Sequence, residues 1–92
     1  MTVLAIVVHL HSNANEGAVK QVIERFGADA VQALPMAWLV KTDTPAYEIM
    51  ITIRSLLSDG EQALVMGVSP GSVISMAPEL APSVHEWLVK NF

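Results

Sequence analysis

The chain has 92 residues, of which 52% are hydrophobic and 15% are charged, so it has the length of one domain and enough apolar residues for a core. Five scattered basic residues stand against nine acidic ones and give a net charge of −4, a balance that argues against tight nucleic-acid binding through many phosphate contacts. Cysteine is absent, which excludes disulfides, thiolate zinc sites and thiol nucleophiles.

We therefore expect a single domain over residues 1–92. The apolar content is high for so small a chain, and we expect a second copy of the protein to cover part of it. The apolar run at residues 2–10 has no basic segment before it and is far shorter than the roughly 20 residues that cross a bilayer. This pattern predicts a cytoplasmic protein that does not contact the membrane.

The first predicted element is a strand over residues 2–10. Its alternating positions are apolar on both sides, which is typical of a strand buried on both faces. We expect one side to face the helices and the other to point away from them. The first side carries Leu4, Ile6 and Val8, and the second carries Val3, Ala5, Val7 and His9.

A helix is predicted next, from Asn13 as its N-cap to Gly27 as its C-cap, with apolar residues at helical spacing. Two short strands, 28–34 and 36–42, follow and meet at a turn that contains Pro35. A second helix is predicted with Thr44 as N-cap and Pro45 at its first position, and we expect it to end at Gly60.

A fourth strand is predicted over residues 61–68, which gives the order βαββαβ. This order is typical of the ferredoxin-like fold, in which an antiparallel sheet carries two helices on one face. The run from Ser72 to Met76 predicts a short fifth strand. Pro82 is expected to begin a C-terminal helix with Val84, Trp87 and Leu88 as its apolar stripe. The predicted fold class is therefore α+β, ferredoxin-like, with these two additions.

The sheet face opposite the two helices is the predicted dimer interface, because so apolar a face is seldom left in water. The fifth strand is expected to add to a sheet edge, either of its own subunit or, by exchange, of a second one. Trp38 is expected to pack in the core or at the interface. The predicted interface residues are Val3, Ala5, Val7, Trp38, Val73 and Met76.

The segment Ala37 to Val68, AWLVKTDTPAYEIMITIRSLLSDGEQALVMGV, resembles the SinR-type proteins of the Cas-two-like group, small relatives of the CRISPR adaptation endonuclease. The closing HEWLVKNF is similar to the end of the same proteins. The resemblance implies a ferredoxin-like homodimer and, in some members, metal-dependent cleavage of RNA or DNA. That activity is associated with an Asp near the end of the first strand, a place where this chain has His9.

His9 and His11 are the candidate catalytic residues, because their spacing puts both on one face of an extended strand. Together they can reach one phosphate or one transition-metal ion, with Glu16 and Asn13 as the nearest further ligands in sequence. The metal would be of unknown identity. In the alternative interpretation both histidines only end the strand and hydrogen-bond to loop backbone or to the partner subunit.

These observations favour a ferredoxin-like homodimer of the Cas-two-like type that serves as a non-catalytic binding or structural module without a cofactor. A protein partner suits this function, and nucleic-acid binding is left open. The alternative is a weak metal-dependent endonuclease or endoribonuclease that uses His9 with a divalent metal. A third function, a small-molecule sensor domain, rests on analogy with other ferredoxin-like dimers.

Overall fold

Strands and helices follow one another in the order βαββαβα in a computed structural model, which describes residues 2–11, 13–69 and 82–91. The predicted fifth strand, with Val73 and Met76, lies outside the described residues. The elements are β1 (Thr2–His9), α1 (Asn13–Phe26), β2 (Asp29–Leu34), β3 (Ala37–Thr42), α2 (Ala46–Arg54), β4 (Gln62–Val68) and α3 (Pro82–Asn91).

The four strands form one sheet in the order β2-β3-β1-β4, and every neighbouring pair is antiparallel. β1 therefore lies between β3 and β4, while β2 and β4 are the edges of the described sheet. This order, with β1 paired to β3 and β4, is that of the ferredoxin-like fold. The predicted α+β fold class is confirmed.

The main core lies between the sheet and the helices α1 and α2. Leu4, Ile6 and Val8 of β1 face this core, as predicted, and they pack against apolar residues at helical spacing. The helix residues buried here are Val19, Val22 and Ile23 of α1 and Ile49 and Ile53 of α2.

Both helix starts differ slightly from the prediction. α1 begins at Asn13 itself, and the N-cap of α2 is Pro45, without a capping side chain, so the prediction of Thr44 is wrong. The N–H of Thr44 donates to the hydroxyl of Thr42 and so holds the turn between β3 and α2. α2 also ends earlier than predicted, at Arg54, and continues into tighter turns towards Gly60.

The end of α1 is fixed against β3 by two residues. Thr42 is fully buried, and its hydroxyl donates a 2.7 Å hydrogen bond to the carbonyl of Phe26. Gly27 is needed for close approach, because a Cβ there would lie 2.8 Å from Cγ1 of Val40 and 2.9 Å from the carbonyl oxygen of Ile23. These contacts set the distance between the first helix and the sheet.

α3 packs on the opposite face of the sheet and forms a second, smaller core. Val84, Trp87 and Leu88 are buried there, as the predicted apolar stripe of this helix requires. They cover one end of the face and bury Val3 of β1. The chain thus has apolar layers on both sides of one sheet.

Two predicted interface residues are corrected by this arrangement. Val3 points away from α1 and α2 as expected, but α3 of the same chain already covers it. Leu39 faces α3, and neighbouring residues of a strand point to opposite faces, so Trp38 lies on the helix side. Trp38 is buried there, with 3% of its surface exposed. Ala5 and Val7 remain on the part of the face that α3 does not bury.

Candidate functional site at the end of β1

A hydrogen-bond network joins the end of β1 to the loop that precedes β4, and Glu61 is its centre. One carboxylate oxygen of Glu61 accepts the backbone N–H of His11 at 2.8 Å. The other accepts the backbone N–H of Ser58 at 2.6 Å and the side-chain amide of Asn15. Asn15 also donates to the hydroxyl of Ser58 at 3.1 Å. We call His11, Asn15, Ser58, Gly60 and Glu61 the β1-exit network.

The charge of Glu61 is stabilised by these donors. Hydrogen bonds from the backbone N–H of Ser58 and then of His11 lower the pKa of Glu61 from 4.5 to about 2, with burial acting in the opposite direction and Asn15 adding to the lowering. Glu61 is therefore a carboxylate at neutral pH, although its residue is buried. It joins the segment after β1, at His11, to the loop before β4, at Ser58.

This network makes the stability of the protein depend on pH. Since the folded-state pKa is depressed, the stabilisation by Glu61 is complete above about pH 4.5 and is lost as the pH falls towards 2. We expect Glu61→Gln to lower the melting temperature at neutral pH, and the difference from wild type to shrink over that acidic range. Circular dichroism melts of both proteins across the range measure this.

Glu48→Gln is the matched control, since it removes the same charge from an exposed position of α2. It leaves the β1-exit network intact and is expected to melt close to wild type at neutral pH. A constant difference between wild type and Glu61→Gln at all pH values would show that the carboxylate does not carry this pH dependence.

His9 and His11 come together at the end of β1, as their spacing predicts. Both are exposed, and their rings meet edge to face, with centroids 5.1 Å apart and an angle of 85° between the planes. Nε2 of His11 lies 3.3 Å from the carbonyl oxygen of Gly60. This contact agrees with the interpretation in which a histidine hydrogen-bonds to loop backbone, and the chemical alternative stays a prediction.

Gly60 allows the loop to approach His11. Its φ of +82° lies in the left-handed region that favours glycine, and a Cβ at this position would be 3.2 Å from Nε2 of His11. The Asp-Gly turn therefore fixes where the carbonyl of Gly60 points, and with it the position of the His11 ring.

The carboxylate beside His11 is Glu61 and not Glu16, the nearest acid in sequence. Sequence reasoning missed Glu61 because it placed this residue only as the start of the fourth strand. A local signal was present: Ser58 and Glu61 are three residues apart, the spacing at which a carboxylate reaches back to a backbone N–H. The link to His11, 50 positions away, has no such local signal.

An apolar surface continues from the site across the uncovered end of the sheet. Val7 pairs with Leu64, and Ala5 pairs with Met66, so the four side chains are neighbours on one face. Val7, Leu64 and Met66 are exposed, and Ala5 is partly buried. We call these four residues the open sheet patch. Beside them lies a shallow depression of about 400 Å³, lined by Val7, Val8, His9, Gln62, Ala63 and Leu64.

Within residues 2–11, 13–69 and 82–91, no three His, Asp or Glu side chains are grouped in a way that holds a metal ion. None of the helices described there is long and apolar enough to span a membrane.

Neither a protein-family model nor a curated protein matches the chain. Among solved structures, the fold is similar to the crystal structure of a hypothetical protein from Thermus thermophilus, with a TM-score of 0.61. The match covers 87% of this chain and 98% of that chain at 14% sequence identity. At this identity the likeness supports the fold alone.

Proposed function

We propose that the protein is a non-catalytic binding or structural module of the Cas-two-like type, and that it acts as a homodimer through the open sheet patch. The patch carries this proposal, because four apolar side chains lie together on a face that α3 leaves uncovered. A sheet face of this kind gains free energy when a second apolar surface removes it from water.

A second copy of the same patch suits this surface. The patch contains no charged side chain, so two copies can face each other without burying an unpaired charge. In a twofold dimer each subunit contributes the same residues, and Val7 and Leu64 of one copy can contact Met66 and Leu64 of the other. β4, which carries half of the patch, is also an edge of the described sheet and extends the surface.

The hydrogen bonds of Glu61 support the proposal that the protein is not a catalyst. The carboxylate of Glu61 already accepts three N–H groups, which engage both of its oxygens. His9 stands where the resemblance implies an Asp, and imidazole is a poor ligand for hard cations such as Mg²⁺. Among the residues that the structure describes, the end of β1 therefore offers no free carboxylate in place of the Asp that the resemblance implies.

The dimer is tested by comparing Leu64→Lys with Ile51→Lys. The two positions are matched in exposure, at 54% and 55%, but Leu64 lies in the open sheet patch and Ile51 lies on α2. We expect wild type and Ile51→Lys to have the mass of two chains and Leu64→Lys that of one, because a lysine would be buried in the interface. Sedimentation measures the masses; a monomeric wild type would refute the proposed dimer.

The non-catalytic function is tested with a cleavage assay. We expect wild type and His9→Ala alike to leave labelled single-stranded RNA and double-stranded DNA intact in Mg²⁺ or Mn²⁺. Cleavage by wild type that disappears in His9→Ala and with a chelator would instead identify the protein as a metal-dependent nuclease. The same assay with Leu64→Lys, which is expected to be monomeric, shows whether any cleavage depends on the dimer.

A further inference from the structure

The distance between the rings of His9 and His11 matches that of two imidazoles bound to one metal ion. Two imidazoles that bind one tetrahedral ion at metal–nitrogen distances of about 2.0–2.1 Å have ring centroids roughly 5 Å apart. The observed separation is 5.1 Å. The exposed ring of His9 can turn from the edge-to-face arrangement without disturbing the core, while the ring of His11 keeps its contact with the carbonyl oxygen of Gly60.

The surroundings of His11 leave one of its nitrogens free to act as a ligand. The carbonyl oxygen of Gly60 can only accept a hydrogen bond, so Nε2 of His11 is the donor in this contact. In the neutral ring Nδ1 then carries the lone pair that a metal ion requires. The backbone of His11 is fixed in turn by Glu61, which limits how far the ring can move.

The charge of the site is also suited to a cation. The carboxylate of Glu61 accepts the backbone N–H of His11 at 2.8 Å, so the loop that holds His11 carries a negative charge. No third His, Asp or Glu of the described chain is grouped with the pair to hold a metal. The protein therefore offers two nitrogen ligands and leaves the other coordination positions to water.

We propose that His9 and His11 bind one late first-row transition-metal ion, such as Zn²⁺, Ni²⁺ or Cu²⁺, in an exchangeable site at the end of β1. Imidazole nitrogen favours these ions over Mg²⁺, and affinity for a nitrogen site rises from Ni²⁺ to Cu²⁺. The inference goes beyond the proposed module function, and it does not depend on dimer formation, since both ligands belong to one chain.

The test is titration of the untagged full chain with Ni²⁺, Zn²⁺ and Mg²⁺ in a calorimeter. We expect Ni²⁺ and Zn²⁺ to bind and Mg²⁺ not to bind. His9→Asn and His11→Asn are each expected to weaken binding at least about tenfold, a loss seen even for residues that only support a metal ligand. Both positions are exposed, so the variants should fold, which circular dichroism checks.

His85→Asn is the matched control, because it removes the third histidine of the chain, which belongs to α3 and is more than 70 positions from His11 in the sequence. It is expected to bind Ni²⁺ as wild type does. The proposal is overturned if wild type binds no Ni²⁺ or Zn²⁺, if His9→Asn and His11→Asn bind as tightly as wild type, or if His85→Asn weakens binding to the same extent.

Discussion

Replacing Ile53 by alanine is expected to remove a large part of the stability of the protein. Ile53 is 0% exposed and lies in the main core between α2 and the sheet. Truncation of a buried isoleucine costs about 2–5 kcal/mol, because it loses apolar burial and leaves a cavity. Domains of this size have a free energy of unfolding of roughly 5–15 kcal/mol in total. Urea unfolding of wild type and Ile53→Ala measures the loss.

Ile51→Ala provides the control on the same helix. Ile51 is only two residues away but is exposed, so the same chemical change should alter the free energy of unfolding by about 0.5 kcal/mol or less. If the two variants were equally destabilised, α2 would not present Ile53 to the core as the fold requires.

Trp87→Ala is expected to have the second large effect, through loss of the α3 layer. Trp87 is buried against the sheet, and removal of a buried tryptophan costs about 3–5 kcal/mol. Loosening of α3 would also uncover Val3 and Leu39, which lie beneath it. We therefore expect lower stability in urea together with increased binding of an apolar fluorescent dye at neutral pH.

An electrostatic contact adds to the role of Trp87. Its buried Nε1 makes no regular hydrogen bond to any residue that the structure describes. Its N–H nevertheless lies close enough to Asp29 to be the largest cause of the lowered pKa of that carboxyl group, with Lys90 also lowering the pKa from a distance of 3.5 Å. α3 is thus held to β2 by polar as well as apolar contacts.

Val89→Ala is the control for this helix, since Val89 is 70% exposed. It should leave both stability and dye binding close to the wild-type values. Equal dye binding by wild type and Trp87→Ala would mean that the sheet face beneath α3 stays covered without the indole.

Local patterns in the sequence were sufficient to predict the order of the elements. The alternation in β1 placed Leu4, Ile6 and Val8 correctly towards the helices, and the spacing of Val84, Trp87 and Leu88 correctly gave the buried side of α3. Such patterns are local, because side chains repeat every two residues in a strand and about every 3.6 in a helix.

The sequence did not reveal which apolar layer covers which sheet face. An apolar face has the same sequence pattern whether a helix of the same chain or a second subunit covers it, so the pattern alone places Val3 at the dimer interface. The alternation of Trp38 with Leu39 puts the two side chains on opposite faces, and the interface prediction for Trp38 does not use it. Glu61 was missed because its partner His11 is brought close only by the pairing of β4 with β1.

The position of β4 at the edge of the described sheet has a consequence for handling the protein. Its seven residues, QALVMGV, contain no charge and no proline, so the strand lacks the usual features that prevent edge-to-edge aggregation. Packing through the sheet face leaves this edge as it is, so we expect the protein to associate edge to edge at high concentration. A lysine at position 64 would act as a gatekeeper residue that opposes this association.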